Sequence, residues 1–216
     1  RWLSDWSSDV CSSDLDVVAA DVLPILGAHA GFGIHKIGDF FYYYPTCSTV
    51  DKSVHFKVCR TKDFLDWTHL GDVFDVYPDR TMYHERWDEL YIMPDVDEAG
   101  KDVYYGYISS ETREDVGSPG TGMVRSHDGI RWEVLPPVVV LWGDIPSQHM
   151  ELNFVEKMDG RYYLSMSGRA YMDSYGYSLY TFVGETPYGP FTPDTEKFRL
   201  SGTSRDRKST RLNSSH

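Results

Sequence analysis

Three copies of one aromatic hairpin, in phase along the chain, restrict the fold more than any other feature. The turn glycines are Gly38, Gly100 and Gly160, spaced 62 and 60 residues apart. Each is followed by a Tyr-rich run: Phe40 to Tyr44, Tyr104-Tyr105 and Tyr162-Tyr163. Each copy closes on an aromatic residue, Trp67, Trp132 or Phe191, lying 29, 32 and 31 residues beyond its glycine. Self-similarity at a fixed period is the signature of a repeat architecture, and it is read before any single element.

Within a copy the order is strand, Gly turn, aromatic strand, longer turn, third strand, polar turn, and a Trp or Phe strand. Short runs rich in Tyr, Phe, Val and Ile, bounded by Gly, Asp and Pro, read as strands. Asp128-Gly129 and Asp159-Gly160 supply the positive φ that tight turns need. Gly117 to Gly122 reads as a surface turn, and no amphipathic helix of useful length is visible. Four strands per copy predict an all-β protein, a β-propeller of the five-bladed type with about three blades present; a β-sandwich is the competing architecture.

Three blades do not close a ring, so the sequence reads as a fragment. Residues 1–15 (RWLSDWSSDVCSSDL) and 204–216 (SRDRKSTRLNSSH) lack strand patterning. They resemble translated sequencing-adapter sequence and read as non-native or disordered tails. Residues 16–203 remain as the expected partial propeller domain. Its formal charge is −13, against −12 for the whole chain, because the tails contribute −2 and +3. An acidic surface argues against nucleic acid or an anionic membrane as a partner. No transmembrane run is present, and any signal peptide would lie upstream, so compartment and oligomeric state stay open. Cys47 and Cys59 fall on neighbouring strands in a register too distant to bridge, which predicts free thiols.

The chemistry-bearing residues stand ahead of the hairpins. Glu151 precedes the third turn glycine by nine residues, in Glu151-Leu-Asn-Phe-Val-Glu-Lys-Met-Asp-Gly160-Arg-Tyr-Tyr. In the second copy, Met93-Pro94-Asp95-Val96 places an acid on the inner strand, and His84-Glu85-Arg86-Trp87-Asp88-Glu89 is a dense polar–aromatic run upstream of it. The segment from Glu151 to Leu164 resembles the acid-bearing segment of five-bladed propeller glycoside hydrolases of the family 32, 68 and 43 type. Ser126-His-Asp-Gly-Ile-Arg-Trp132 and Pro187-Tyr-Gly-Pro-Phe191 are similar to closing patterns of the same enzymes. The resemblance runs over nearly all of residues 28–200.

That resemblance implies a carbohydrate substrate and a pair of carboxyl groups flanking the scissile bond. Glu151 would be the general acid, with a surface glutamate as the bland alternative. Asp95 would be the second carboxylate, stabilising the transition state or tuning the acid, unless it is a solvated turn residue. Arg86, Trp87 and Asp88 suit a sugar subsite or, equally, an inter-blade salt bridge. His149 is a pocket-lining or core histidine. In the first copy, His29 stands nine residues before Gly38, where active members carry an Asp. The attacking carboxylate then belongs to a missing blade, or is Asp21 in another register, or has been lost. A calcium ion on the axis would be in keeping with the resemblance, but no residue locates it. There is no zinc spacing, P-loop, dinucleotide fingerprint or nucleophile elbow. Two readings result: a glycosidase acting on fructosides, arabinosides or xylosides, and a non-catalytic sugar-binding propeller derived from one.

Overall fold

The computed structural model describes residues 28–31, 33–48, 54–112, 120–142, 148–169, 178–196 and 199–201. Among them the only helical element is a short 3-10 turn at Asp72–Phe74. The rest is strand and turn, gathered into one sheet system for each sequence repeat.

The first repeat supplies β1 (Ala28–Ala30), β2 (His35–Ile37), β3 (Phe40–Tyr43), β4 (Thr46–Ser48), β5 (Val54–Phe56), β6 (Cys59–Thr61) and β7 (Thr68–His69). They pair as β2-β3-β6-β7 and β1-β4-β5, the two halves of one four-stranded blade. The division falls at Tyr44-Pro45, because proline has no N–H to give the ladder. Lys57 N–H bonds the Pro45 carbonyl at 3.1 Å and carries the pairing across the break. The second repeat forms a blade of β8 (Tyr83–Val96), β9 (Asp102–Thr112), β10 (Gly120–Ser126) and β11 (Glu133–Leu135), neighbours in chain order. The third forms β12 (Gln148–Met158), β13 (Arg161–Arg169), β14 (Ser178–Gly184) and β15 (Thr192–Pro193), with β16 (Arg199–Ser201) on the far half of β14.

Strand alternation puts successive side chains of a central blade on opposite faces. Leu90, Ile92, Ile108 and Val124 of blade two pack with Tyr42, Tyr44 and Phe56 of blade one. Met93, Tyr105, Tyr107 and Met123 face the other way, onto Val155, Leu164, Tyr180 and Phe182 of blade three. Blade two is thus buried on both faces, as a propeller requires. Several tyrosines tie blades or strands through their hydroxyls: Tyr44 Oη to the Gly129 carbonyl at 2.8 Å, Tyr107 Oη to the Pro187 carbonyl at 2.9 Å.

The closing motifs have one geometry. Thr61 Oγ1 accepts from the Phe64 N–H at 3.1 Å, and Asp63 Oδ1 accepts from Leu65 and Asp66 N–H, each at 2.9 Å. In blade two, Ser126 Oγ accepts from Gly129 N–H at 2.9 Å, and Asp128 Oδ1 from Ile130 and Arg131, each at 2.8 Å. Trp67 and Trp132 both return their indole N–H to the residue three before them. One expectation fails here. Gly120 and Gly122, read from sequence as part of a surface turn, lie buried in β10. A Cβ on Gly122 would stand 2.9 Å from the Trp87 ring, so a close approach, not a turn, requires the glycine.

Candidate active site

The first strands of the three blades run side by side. His35 of β2 meets the Tyr91 ring of β8 at 5.8 Å, and Tyr91 meets Phe154 of β12 at 5.8 Å. Just before these rings, β8 and β12 carry the same irregularity. Asp88 pairs with Ser109 and Tyr91 with Tyr107, so β8 gains one residue over its partner; Glu151 pairs with Ser167 and Phe154 with Ser165, and β12 does likewise. The residue after each acid takes the left-handed conformation, φ 59° at Glu89 and φ 52° at Leu152. A bulge of this kind bends the strand and re-aims the side chains around it.

The two bulges meet across the blade boundary. Arg86 sends Nε to Asp88 Oδ1 at 3.1 Å and an Nη to Glu151 Oε1 at 3.2 Å; Glu89 Oε2 lies 3.7 Å away. Glu89 Oε2 also accepts from Ser109 Oγ at 2.7 Å and from the Leu152 N–H at 3.0 Å. Solvent reaches 27% of the Asp88 and Glu151 side chains but 15% of Arg86, so a ligand meets the carboxylates first. Burial pushes the Asp88 carboxyl above the ordinary aspartate range; Arg86 opposes this, and the charges of Glu89 and Glu151 add to it. For Arg86, burial disfavours the charge, yet the pKa is raised because Asp88, Glu151 and Glu89 surround it. Three carboxyl groups around one guanidinium leave an excess of negative charge, and the raised Asp88 carboxyl reflects it.

No family model matches the sequence, and no curated protein matches it. Solved structures do. A mutant of the Bombyx mori GH32 β-fructofuranosidase BmSUC1, in complex with sucrose, superposes with a TM-score of 0.56 at 19% identity over 79% of this chain and 37% of that one. The GH43_1 enzyme from Xanthomonas citri, complexed with xylose, gives 0.54 at 16% identity over 77% and 53%. Zg3597, a family 117 glycoside hydrolase from Zobellia galactanivorans, gives 0.57 at 13% identity over 80% and 57%. This chain has the β-propeller fold of those glycoside hydrolases. It spans between 37% and 57% of their own lengths, under two thirds in each case.

Within the propeller, Arg86, Asp88 and Glu151 come together where β8 and β12 bulge. Asp95 does not join them. It lies seven positions further along β8, six ladder steps once the bulge residue is discounted, about 20 Å at ~3.3 Å per step. There it accepts from Lys157 Nζ at 2.7 Å and Tyr162 Oη at 2.6 Å, with its side chain 5% exposed. Asp95 is an inter-blade brace, and the carboxylate that shares Arg86 with Glu151 is Asp88. Trp87 is also corrected. It is fully buried, its indole N–H bonds the Val76 carbonyl at 3.1 Å, and it packs on Tyr83 and Phe56. A ring so enclosed is core and offers no face to a sugar.

His29 lies in β1 and His149 in β12; their side chains fall outside the described residues, as does Asp21. Ala30 pairs with Thr46, seven residues past the hairpin turn, as Glu151 pairs with Ser167 seven past its own. The first-blade counterpart of Glu151 is therefore Ala30, one residue from His29. The nine-residue count misplaced it because Gly38 is the first turn residue and Gly160 the second. Sequence reading gave Glu89 no role of its own, although Tyr91 and Phe154, each three residues beyond an acid, would have aligned the two bulges. Among the described residues, His69, Asp72 and Asp75 alone cluster as metal ligands would. Lys57 Nζ stands 3.0 Å from Asp72 and 2.9 Å from Asp75, so an ammonium already fills that position.

Proposed function

We propose that this propeller belongs to a glycoside hydrolase cleaving O-glycosyl bonds of a fructoside-, arabinoside- or xyloside-type glycan, with Glu151 as proton donor. The observation that carries the reading is the single Arg86 guanidinium shared by Asp88 and Glu151 from adjacent blades. Two carboxyl groups bound to one planar fork lie no more than about 9 Å apart, under the ~9.5 Å upper limit of glycosidic pairs. Glu151 protonates the departing oxygen. Asp88 stabilises the positive charge that develops on the sugar. Arg86 holds both in register and steadies Glu151 once the proton has left. The glycosidases of similar fold support the substrate class.

The test is Glu151→Gln in the full-length protein, assayed on aryl fructosides, arabinosides and xylosides. Hydrolysis falls by about 10²–10⁴-fold while KM stays near its original value. Undiminished turnover removes Glu151 from the role. Ala30 at the first-blade register position favours a second reading, a sugar-binding propeller that no longer hydrolyses. Under it the wild-type protein binds oligosaccharides in calorimetry and turns none over.

A further inference from the structure

We propose that Glu89 is a positioning residue: its carboxylate clamps the β12 bulge from the neighbouring blade and so fixes where Glu151 points. This rests on the reading of Glu151 as proton donor for its consequence in catalysis, but the clamp itself is a matter of backbone geometry.

A bulge takes its extra residue out of the ladder and leaves a backbone N–H without a cross-strand partner. In β12 the N–H of Leu152 instead donates to Glu89 Oε2 at 3.0 Å, and Leu152 holds φ 52°. A leucine adopts that conformation rarely, because its Cβ crowds the following carbonyl; it persists where neighbours fix it. Here the fixing group comes from blade two. Glu89 is itself held by Ser109 Oγ at 2.7 Å and faces Arg86 at 3.7 Å. Because Leu152 follows Glu151 directly, a change in its φ or in its N–H partner swings the peptide that carries the Glu151 side chain. Blade three has no equivalent of its own, since its bulge residue is apolar. The clamp therefore acts in one direction, from the second blade onto the acid of the third.

The experiment uses Glu89→Ala, Glu89→Gln and Ser109→Ala in the full-length protein, with two readouts. Amide hydrogen exchange reports the Leu152 N–H, and steady-state kinetics reports kcat and KM apart. Glu89→Ala speeds Leu152 exchange at least about tenfold and lowers kcat by about 10- to 100-fold with KM within about threefold, as a misaimed acid does. Glu89→Gln keeps an acceptor oxygen, so Leu152 stays protected and most of kcat returns. Ser109→Ala, which leaves the blade packing intact, gives a smaller change in the same sense and serves if Glu89→Ala does not fold. Unchanged Leu152 protection in both Glu89→Ala and Ser109→Ala overturns the clamp, and so does a Glu89→Gln variant as impaired as Glu89→Ala. Exchange needs no turnover, so the clamp is judged even if Glu151→Gln proves fully active and the catalytic reading falls.

Discussion

Asp88 and Glu151 occupy the same register position in successive blades, each opposite a serine and each followed by a residue in the left-handed conformation. One structural solution, a bulge one residue wide, has been used twice to turn an acid off the sheet at the axis. The blades differ at the next position: a second acid in blade two, a leucine in blade three. That asymmetry lets Arg86 and Glu89 of one blade hold the acid of the other.

Asp88 illustrates a conflict between stability and chemistry. Burial raises its carboxyl pKa, with Glu89 and Glu151 adding to the rise and Arg86 opposing it. A folded-state pKa above the unfolded one contributes stability that is present at low pH and is lost as pH rises through the folded value. Asp88→Asn is therefore expected to raise the melting temperature at neutral pH, while kcat/KM falls on the order of 100-fold or more. Thermal melts and kinetics at one pH check both halves, and a destabilised Asp88→Asn contradicts the sign.

Trp87 belongs to the core, and its replacement should act there. Trp87→Ala removes a fully buried ring and leaves the Val76 carbonyl without its indole donor. A loss of about 3–5 kcal/mol is expected in denaturant unfolding. Trp87→Phe keeps much of the volume and costs less, with no selective effect on KM for sugars. A KM effect in Trp87→Phe without loss of stability would restore it to a subsite.

The architecture was legible because its signals are local and repeated. Thr61, Asp63 and Trp67, like Ser126, Asp128 and Trp132, close a turn with their own side chains, so the motif and the structure are nearly the same statement. The placement of the acids was less legible, since bulges leave little trace in composition and shift register by one. The resemblance of Met93-Pro94-Asp95-Val96 put Asp95 beside Glu151, and counting back nine residues from Gly38 put His29 at the first-blade position. The β8–β9 loop is longer than its counterparts, and the turn glycines are not equivalent. Arg86 and Asp88 were visible as a polar run, but only tertiary packing separates them from Trp87, which lies between them and points into the core.

Asp95 makes the opposite pH prediction from Asp88. Burial alone would raise its carboxyl, but the bonds from Lys157 and Tyr162 outweigh it and hold it below the ordinary range. A depressed folded pKa gives stability that is present above the unfolded value and lost as pH falls through the folded one. Asp95→Asn is expected to cost about 1–2 kcal/mol near pH 7, discounted for the exposure of Lys157. The difference from wild type should vanish below the normal aspartate range, and kcat should change little. Urea unfolding at neutral and acidic pH measures this, and a pH-independent cost or a collapse in kcat would return Asp95 to the catalytic group.

The cysteines of blade one offer a probe of whether that blade stays closed. Cys59 is fully buried, and burial, with the neighbouring Cys47 and Asp75 adding and Lys57 opposing, pushes its thiol up to about 12. Cys47 is buried and shifted the same way, again chiefly by burial. The thiolate is the reactive form, and at pH 7 a thiol of that pKa is ionised on the order of one part in 10⁵. Iodoacetamide should leave both residues unmodified in the native protein and label both after denaturation, as peptide mass spectrometry can follow. Removing Asp75, which gathers Lys57, His55 and His69 around a side chain only 1% exposed, should open the blade and make both thiols reactive under native conditions. Native-state labelling of Cys59 in the wild type would mean that the half-blade of β2, β3, β6 and β7 does not hold together as described.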